Sequence, residues 1–123
     1  MNDDKLYLIH ISECLADINE YMIGGRDTLM TSKLIQDAVI RKLQVLAEST
    51  LRLSEGTKAL HSEVNWRAIR GFRNVVVHDY LKVNLDAVAN IIDQDLPSLK
   101  NAVESMLVSL DNDTATRNGD TSK

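Results

Sequence analysis

The sequence predicts an all-α fold, a four- to five-helix up-down bundle, and three observations lead to this prediction. One proline and five glycines occur among 123 residues, so the strongest helix breakers are scarce. Large apolar residues recur at alternating steps of three and four residues, which places them on one helical stripe. The β-branched run from Val75 to Val77 has no other strand-like segment with which to pair.

Glycines and hydroxyl residues divide the first half of the chain into two predicted helices. The first is expected over about residues 2–22, because Gly24 and Gly25 follow it and glycine favours a helix end. The second is expected to begin at Thr31 or Ser32, either of which can cap it, and to end near Gly56. The polar residues 55–63 are expected to form a loop.

Caps predict three more helices in the second half. The third is expected to start at Asn65 and to end at about His78 or Tyr80. Asn84 or Asp86 would open the fourth, and Asp95, two residues before the single proline, would cap the fifth. Residues 111–123 contain no large apolar side chain, so we expect a helical domain over residues 1–110 and a disordered tail over residues 111–123.

Composition narrows the class of protein. Hydrophobic residues make up 44% and charged residues 26%, as in an ordinary soluble domain, and no apolar run approaches the roughly 20 residues of a membrane span. Cys14 is the only cysteine and the acidic N-terminus is unlike a signal peptide, so a cytoplasmic protein without a disulfide is expected. The net charge of −4 argues against broad non-specific nucleic-acid binding, but not against a small cationic site.

The positive charge is unevenly distributed along the chain. Arg67, Arg70, Arg73 and Lys82 lie close together along the chain. At about 100° per residue, Arg67 and His78 fall within one narrow arc with Asn74, and Arg70 lies at its border. Ile69, Phe72 and Val76 take the opposite, core-facing side. We expect Trp66 and Phe72 in the core, and His10 and His61 at the surface.

Arg73 and His78 are the candidate catalytic pair. Histidine titrates near neutral pH and can move a proton to or from a ribose hydroxyl, while arginine can hold a phosphate with two hydrogen bonds. The two positions are separated by roughly 140° around a straight helix. They can therefore meet in one of three ways: the helix distorts or ends near His78, the long arginine side chain wraps around the helix, or a second subunit supplies one partner. Asn74 lies one turn before His78, and Arg70 is a further candidate for phosphate binding.

The segment Arg73-Asn74-Val75-Val76-Val77-His78-Asp79-Tyr80 resembles the R-x4-H-x-Y motif of HEPN-domain proteins, in particular the HepT-like toxins of HEPN/MNT (type VII) toxin–antitoxin pairs. The likeness extends to residues 34–50 and to the segment after the motif, and therefore covers most of residues 1–110. A second-helix acidic residue, Glu48, also resembles the family pattern, without an assigned role.

The resemblance implies a homodimer in which arginine and histidine residues of two subunits line a shared cleft. It implies a ribonuclease toxin that needs no metal or cofactor, with Arg73 and His78 catalytic and RNA as substrate. The implied partner is a minimal nucleotidyltransferase antitoxin that transfers AMP from ATP to the motif tyrosine, here Tyr80. Two other interpretations stay open: a non-catalytic helical dimer that binds a nucleotide or a nucleotidyltransferase, and a purely structural bundle.

Overall fold

The structure, a computed structural model, describes the backbone of residues 3–77 and 84–121 and the side chains of residues 3–72 and 84–112. The described residues form seven α-helices and no strand, so the predicted all-α fold is confirmed. The helices are α1 (Asp3–Tyr21), α2 (Arg26–Thr31), α3 (Lys33–Leu51), α4 (Glu55–Ala59), α5 (Trp66–Val77), α6 (Leu85–Gln94) and α7 (Leu96–Thr121). No helix in these ranges is both long and apolar enough to cross a membrane.

Four long helices make the body of the bundle, with α1 packed against α3 and α7, and α5 packed against α3. Neighbouring long helices run antiparallel. The start of α1 meets the end of α3, where Asp4 accepts hydrogen bonds from Ser54, and it meets the late part of α7, where Lys5 pairs with Asp111. Their facing sides form the core, whose largest fully buried side chains include Leu8, Ile11, Ile18, Leu43, Leu46, Ile69, Phe72 and Leu99.

Side-chain caps begin three of the helices at predicted positions. Ser32 accepts a hydrogen bond from the backbone N–H of Ile35 at 3.2 Å, and Asn65 accepts one from Ala68 at 3.0 Å. Asn84 caps α6 in the same way. Each cap satisfies a backbone N–H that the first helical turn leaves without an intrahelical partner.

Two short helices were not expected. The predicted second helix does not continue to Gly56, because α3 ends at Leu51 and Ser54 opens the separate five-residue helix α4 inside the expected loop. The other, α2, fills the segment after Gly25, whose φ of 83° lies in the region that favours glycine. Both depend on contacts with distant residues, since Asp4 bonds to Ser54 and Arg26 reaches Asp93 at 3.4 Å.

At the C-terminus, the backbone of α7 is helical through Thr121, which lies beyond residue 110, the expected end of the helical domain. Leu99, Val103 and Met106 fix the first turns of α7 in the core. A helix that is already nucleated extends at low cost, and no proline follows Pro97. The division into a domain over residues 1–110 and a separate tail stays a prediction.

Candidate active site

The predicted site residues belong to α5 and to the segment that follows it. Arg70 is an exposed residue of α5. Arg73 and Asn74 belong to the same helix by their backbone, but their side chains lie outside the described residues. His78 and Tyr80 lie outside the described residues altogether. The pairing of Arg73 with His78 is therefore still a prediction.

Two buried side chains fix the orientation of α5 on the bundle. Ile69 is 0% exposed and Phe72 is 1% exposed, and both belong to the core that α5 forms with α3. They lie three residues apart, so together they define the inner side of the helix. Arg67 and Arg70 are exposed, as the helical pattern predicts.

A groove of about 720 Å³ runs beside the N-terminal half of α5. The end of α3, helix α4 and the connection to α5 form its walls, and its polar lining includes Glu55, Lys58, Glu63, Asn65, Arg67 and Arg70. Sequence reasoning missed this groove, because α4 was expected to be part of a loop. The available signal was the spacing of Arg67 and Arg70, which placed positive charge on this part of the helix.

A lysine and a histidine contact the acidic groups of the groove. Lys58, whose side chain is only 14% exposed, lies 3.2 Å from the carboxylate of Glu55. The carboxylate of Glu63 lies 3.0 Å from His61 Nδ1, and this hydrogen bond is the main reason why the pKa of Glu63 is lowered. Within the described part of the chain, neither Arg67 nor Arg70 forms an ion pair. Among the side chains that the structure describes, the two arginines are cations of this surface without an acidic partner.

Trp66 lies in the wall of the groove and is half-buried, which corrects the expectation of a core position. Its indole Nε1–H donates to the carbonyl oxygens of Lys58 at 3.1 Å and His61 at 3.0 Å. One side of Trp66 packs against the core. The hydrogen bonds therefore hold the ring in place while part of it faces the groove.

The other residues considered as functional candidates lie in the core or form local contacts. Cys14 is buried in the core, which raises the pKa of its thiol. His10 is exposed, as expected, while the side chain of His61 is only 19% exposed. The carboxylate of Glu48 lies 3.8 Å from the guanidinium of Arg52, the residue that follows α3. Across the residues that the structure describes, no three histidine, cysteine or acidic side chains cluster closely enough to hold a metal ion.

Comparisons with known proteins agree with the resemblance of the motif. A family described as "Ribonuclease HepT-like" matches residues 11–106. A "Probable ribonuclease HepT" of Thermococcus cleftensis is 33% identical over 104 residues, which are 83% of this chain and 94% of that protein. A "Putative RNase" of Caldanaerobacter subterraneus subsp. tengcongensis is 27% identical and covers 87% of this chain and 96% of its own.

One relative is longer than this chain, and its name gives two activities. A "Gamma-glutamylcyclotransferase and putative RNase" of Methanocaldococcus jannaschii is 30% identical over 89% of this chain, and the chain spans only 50% of that protein. No solved structure matches the chain. The family match covers most of the bundle, including α5 and the R-x4-H-x-Y segment, and the chain therefore belongs to the HepT-like ribonuclease family.

Proposed function

We propose that this protein is a ribonuclease toxin that cleaves RNA without a metal ion, using Arg73 and His78. The observation that carries the proposal is the position of the motif. The HepT-like family match over residues 11–106 encloses the complete R-x4-H-x-Y segment, from Arg73 to Tyr80. α5 presents the first part of this segment from a helix that Ile69 and Phe72 anchor in the core.

The proposed reaction is an internal attack by the ribose. His78 takes the proton from the 2′-hydroxyl as the 2′-oxygen forms a bond to phosphorus, and the bond from phosphorus to the 5′-oxygen breaks. The leaving 5′-oxygen takes up a proton from water and His78 releases its proton to water, so the products are a 2′,3′-cyclic phosphate and a 5′-hydroxyl. Arg73 stabilises the negative charge that develops on the phosphate oxygens. Asn74 orients His78 or binds the phosphate, and Arg70 supports phosphate binding.

RNA cleavage in the presence of EDTA tests this function. The substrates are total transfer RNA and a messenger transcript, and intact mass confirms that Tyr80 carries no AMP. We expect the parent protein to cut RNA and His78→Ala to lose about 10²- to 10⁴-fold in kcat/KM, the usual contribution of a general acid or base. His10→Ala is the matched control, because His10 is an exposed histidine of α1.

The alternative function, a non-catalytic dimer, predicts that the protein does not cut RNA. If neither the unmodified parent nor His78→Ala cuts RNA, the ribonuclease proposal fails. Nucleotide binding or capture of the nucleotidyltransferase by the uncleaving protein would then support a non-catalytic dimer.

We further propose that a nucleotidyltransferase antitoxin neutralises the protein by adenylylation of Tyr80. An anionic AMP group two residues after His78 would occupy the cleft and compete with substrate phosphate for Arg73. Incubation with the antitoxin and ATP should add AMP to the parent and abolish cleavage. Tyr80→Phe should gain no mass and should keep cutting. Full activity of a protein that is completely adenylylated on Tyr80 would contradict this mechanism.

A further inference from the structure

The groove beside α5 has the chemistry of a subsite for single-stranded RNA. Proteins that hold single strands without sequence preference combine a cationic groove for the phosphates with aromatic faces for the bases. Here Arg67 and Arg70 supply the charge, and Trp66 supplies an aromatic ring between the groove and the core. All three side chains belong to the first two turns of α5.

The three arginines of α5 are regularly spaced along the helix. Arg67, Arg70 and Arg73 occur at intervals of three residues. In an α-helix each such interval advances about 4.5 Å along the axis and about 60° around it. The backbone positions therefore wind from the groove towards the predicted catalytic segment, and an RNA strand lying in the groove would approach the motif from the N-terminal side.

The charge balance of the groove leaves these arginines available for an anion. Glu55 is neutralised by Lys58, and Glu63 is engaged by His61. Arg67 and Arg70 are exposed and form no ion pair with any residue whose side chain the structure describes. The N-terminus of α5 opens onto the same groove through Asn65, and its partial positive charge adds to the attraction for phosphate.

We propose that this groove binds the stretch of substrate RNA next to the scissile phosphate, with Arg67 and Arg70 contacting successive backbone phosphates and the open part of the Trp66 ring meeting a base. This inference rests on the proposed ribonuclease function and names the substrate-binding surface for it. Recognition through phosphates and stacking is independent of base sequence. Arg67, Arg70 and Trp66 are thus binding residues, while Arg73 and His78 carry the chemistry.

The experiment measures binding apart from cleavage. The probe is a mixed-sequence, single-stranded oligonucleotide with 2′-O-methyl groups, which block attack by the 2′-oxygen. Trp66 is the only tryptophan of the chain, so its intrinsic fluorescence reports directly on this groove. The anisotropy of an end-labelled probe gives Kd at several salt concentrations. The variants are Arg67→Gln, Arg70→Gln and the double variant, with Arg41→Gln as a control at an exposed arginine of α3 outside the groove.

We expect the probe to change Trp66 fluorescence in a saturable way. The double variant should bind roughly tenfold more weakly or worse, and the slope of log Kd against log salt should become shallower by about 1.4, because each lost phosphate contact removes about 0.7 from a single strand. Each single variant should give about half of this change in slope. Arg41→Gln should behave like the parent. Equal thermal unfolding of all four variants would confirm that these exposed positions do not alter the fold.

Two results would overturn the inference. One is unchanged Kd and unchanged salt slope in the double variant, and the other is no change in Trp66 fluorescence when anisotropy shows that the probe is fully bound. Failure of the proposed function gives a different result, namely binding of the probe through Arg67 and Arg70 without cleavage of natural RNA. Cleavage of RNA together with an unchanged salt slope would overturn the subsite alone.

Discussion

Asp4 connects two parts of the chain that are about fifty residues apart in sequence. Its carboxylate accepts hydrogen bonds from the backbone N–H of Ser54 at 3.0 Å, from Ser54 Oγ at 2.7 Å and from Thr57 Oγ1 at 2.5 Å. These bonds tie the start of α1 to the start of α4. Since α4 forms one wall of the groove beside α5, Asp4 helps to shape that groove from outside it.

Asp4→Ala should lower the free energy of unfolding by about 1–2 kcal/mol at pH 7, because hydrogen bonds to a charged group are among the stronger ones. Partial burial raises the pKa of Asp4, but the hydrogen bonds from Thr57 and Ser54 outweigh it, so the pKa is lowered from its ordinary value of 3.8. The stabilisation is therefore fully present above pH 3.8 and declines as the pH falls through the lower folded-state pKa. Urea unfolding of the parent and the variant across this pH range measures it.

Asp3→Ala is the matched control, because Asp3 also places a carboxylate in the first turn of α1, where the helix dipole favours negative charge. A loss of stability in Asp3→Ala as large as in Asp4→Ala would contradict the role of the hydrogen bonds to Ser54 and Thr57.

The positions of helix caps were predictable from the sequence, because the residues that signal a cap lie within one helical turn of it. Asn65 was expected as a helix cap, and Ser32 and Asn84 were each one of two expected candidates; the structure shows all three as caps. Trp66 was expected inside the core, but it is only half-buried and packs against the core from outside. Its position depends on carbonyl groups of α4 and the following turn, and a helical pattern carries no information about such partners. The roles of Arg73, His78, Asn74 and Tyr80 stay predictions.

At the scale of elements, α5 carries both the groove and the start of the catalytic motif. Its N-terminus is held by Asn65, whose side chain accepts a hydrogen bond from Ala68 N–H at 3.0 Å. Its inner side is held by Ile69 and Phe72. The helix therefore has one fixed rotation relative to α3, and that rotation decides where its arginines lie.

Asn65→Ala should lower the free energy of unfolding by about 1 kcal/mol, the usual cost of losing a side-chain cap. Asn65→Ser should keep most of that stability, since a serine hydroxyl can accept the same bond. Chemical unfolding of the three proteins is the measurement. Equal stability of Asn65→Ala and Asn65→Ser would argue against capping by this side chain.

Long helices were predictable from apolar spacing, and short ones were not. α2 has six residues and α4 has five, too few to show a helical period. Each is held by contacts across the fold: Arg26 of α2 reaches Asp86 and Asp93 of α6, and Ser54 at the start of α4 bonds to Asp4. Because the groove depends on α4, an interpretation from sequence spacing alone could locate the arginines but not the cavity beside them.

At the scale of the whole molecule, we propose that the catalytic cleft is shared between two subunits. The angular separation of Arg73 and His78 on a straight helix favours a partner from a second chain. Several large apolar side chains are exposed in the single chain, among them Ile23 at 82%, Leu34 at 78% and Leu60 at 80%, and such surface is available for burial in a dimer. Light scattering should give twice the chain mass of 13.8 kDa at micromolar concentration.

Mixed dimers test whether the cleft is shared. Arg73→Ala and His78→Ala should each be inactive alone. Coexpressed, they should regain part of the parent activity, because one site then combines the arginine of one subunit with the histidine of the other. Inactive mixed dimers would place Arg73 and His78 of each site on the same subunit, and a monomeric protein would rule out the shared cleft.

The chemistry of the RNA ends tests the central claim most directly. RNA is cut in the presence of EDTA by protein of unmodified mass, and the new ends are analysed by enzymatic labelling and mass spectrometry. Attack by the 2′-hydroxyl, with His78 moving the proton and Arg73 holding the phosphate, predicts a 2′,3′-cyclic phosphate and a 5′-hydroxyl, and both should disappear with His78→Ala. Cuts that leave a 3′-hydroxyl and a 5′-phosphate, or the same cuts by His78→Ala, would contradict the account.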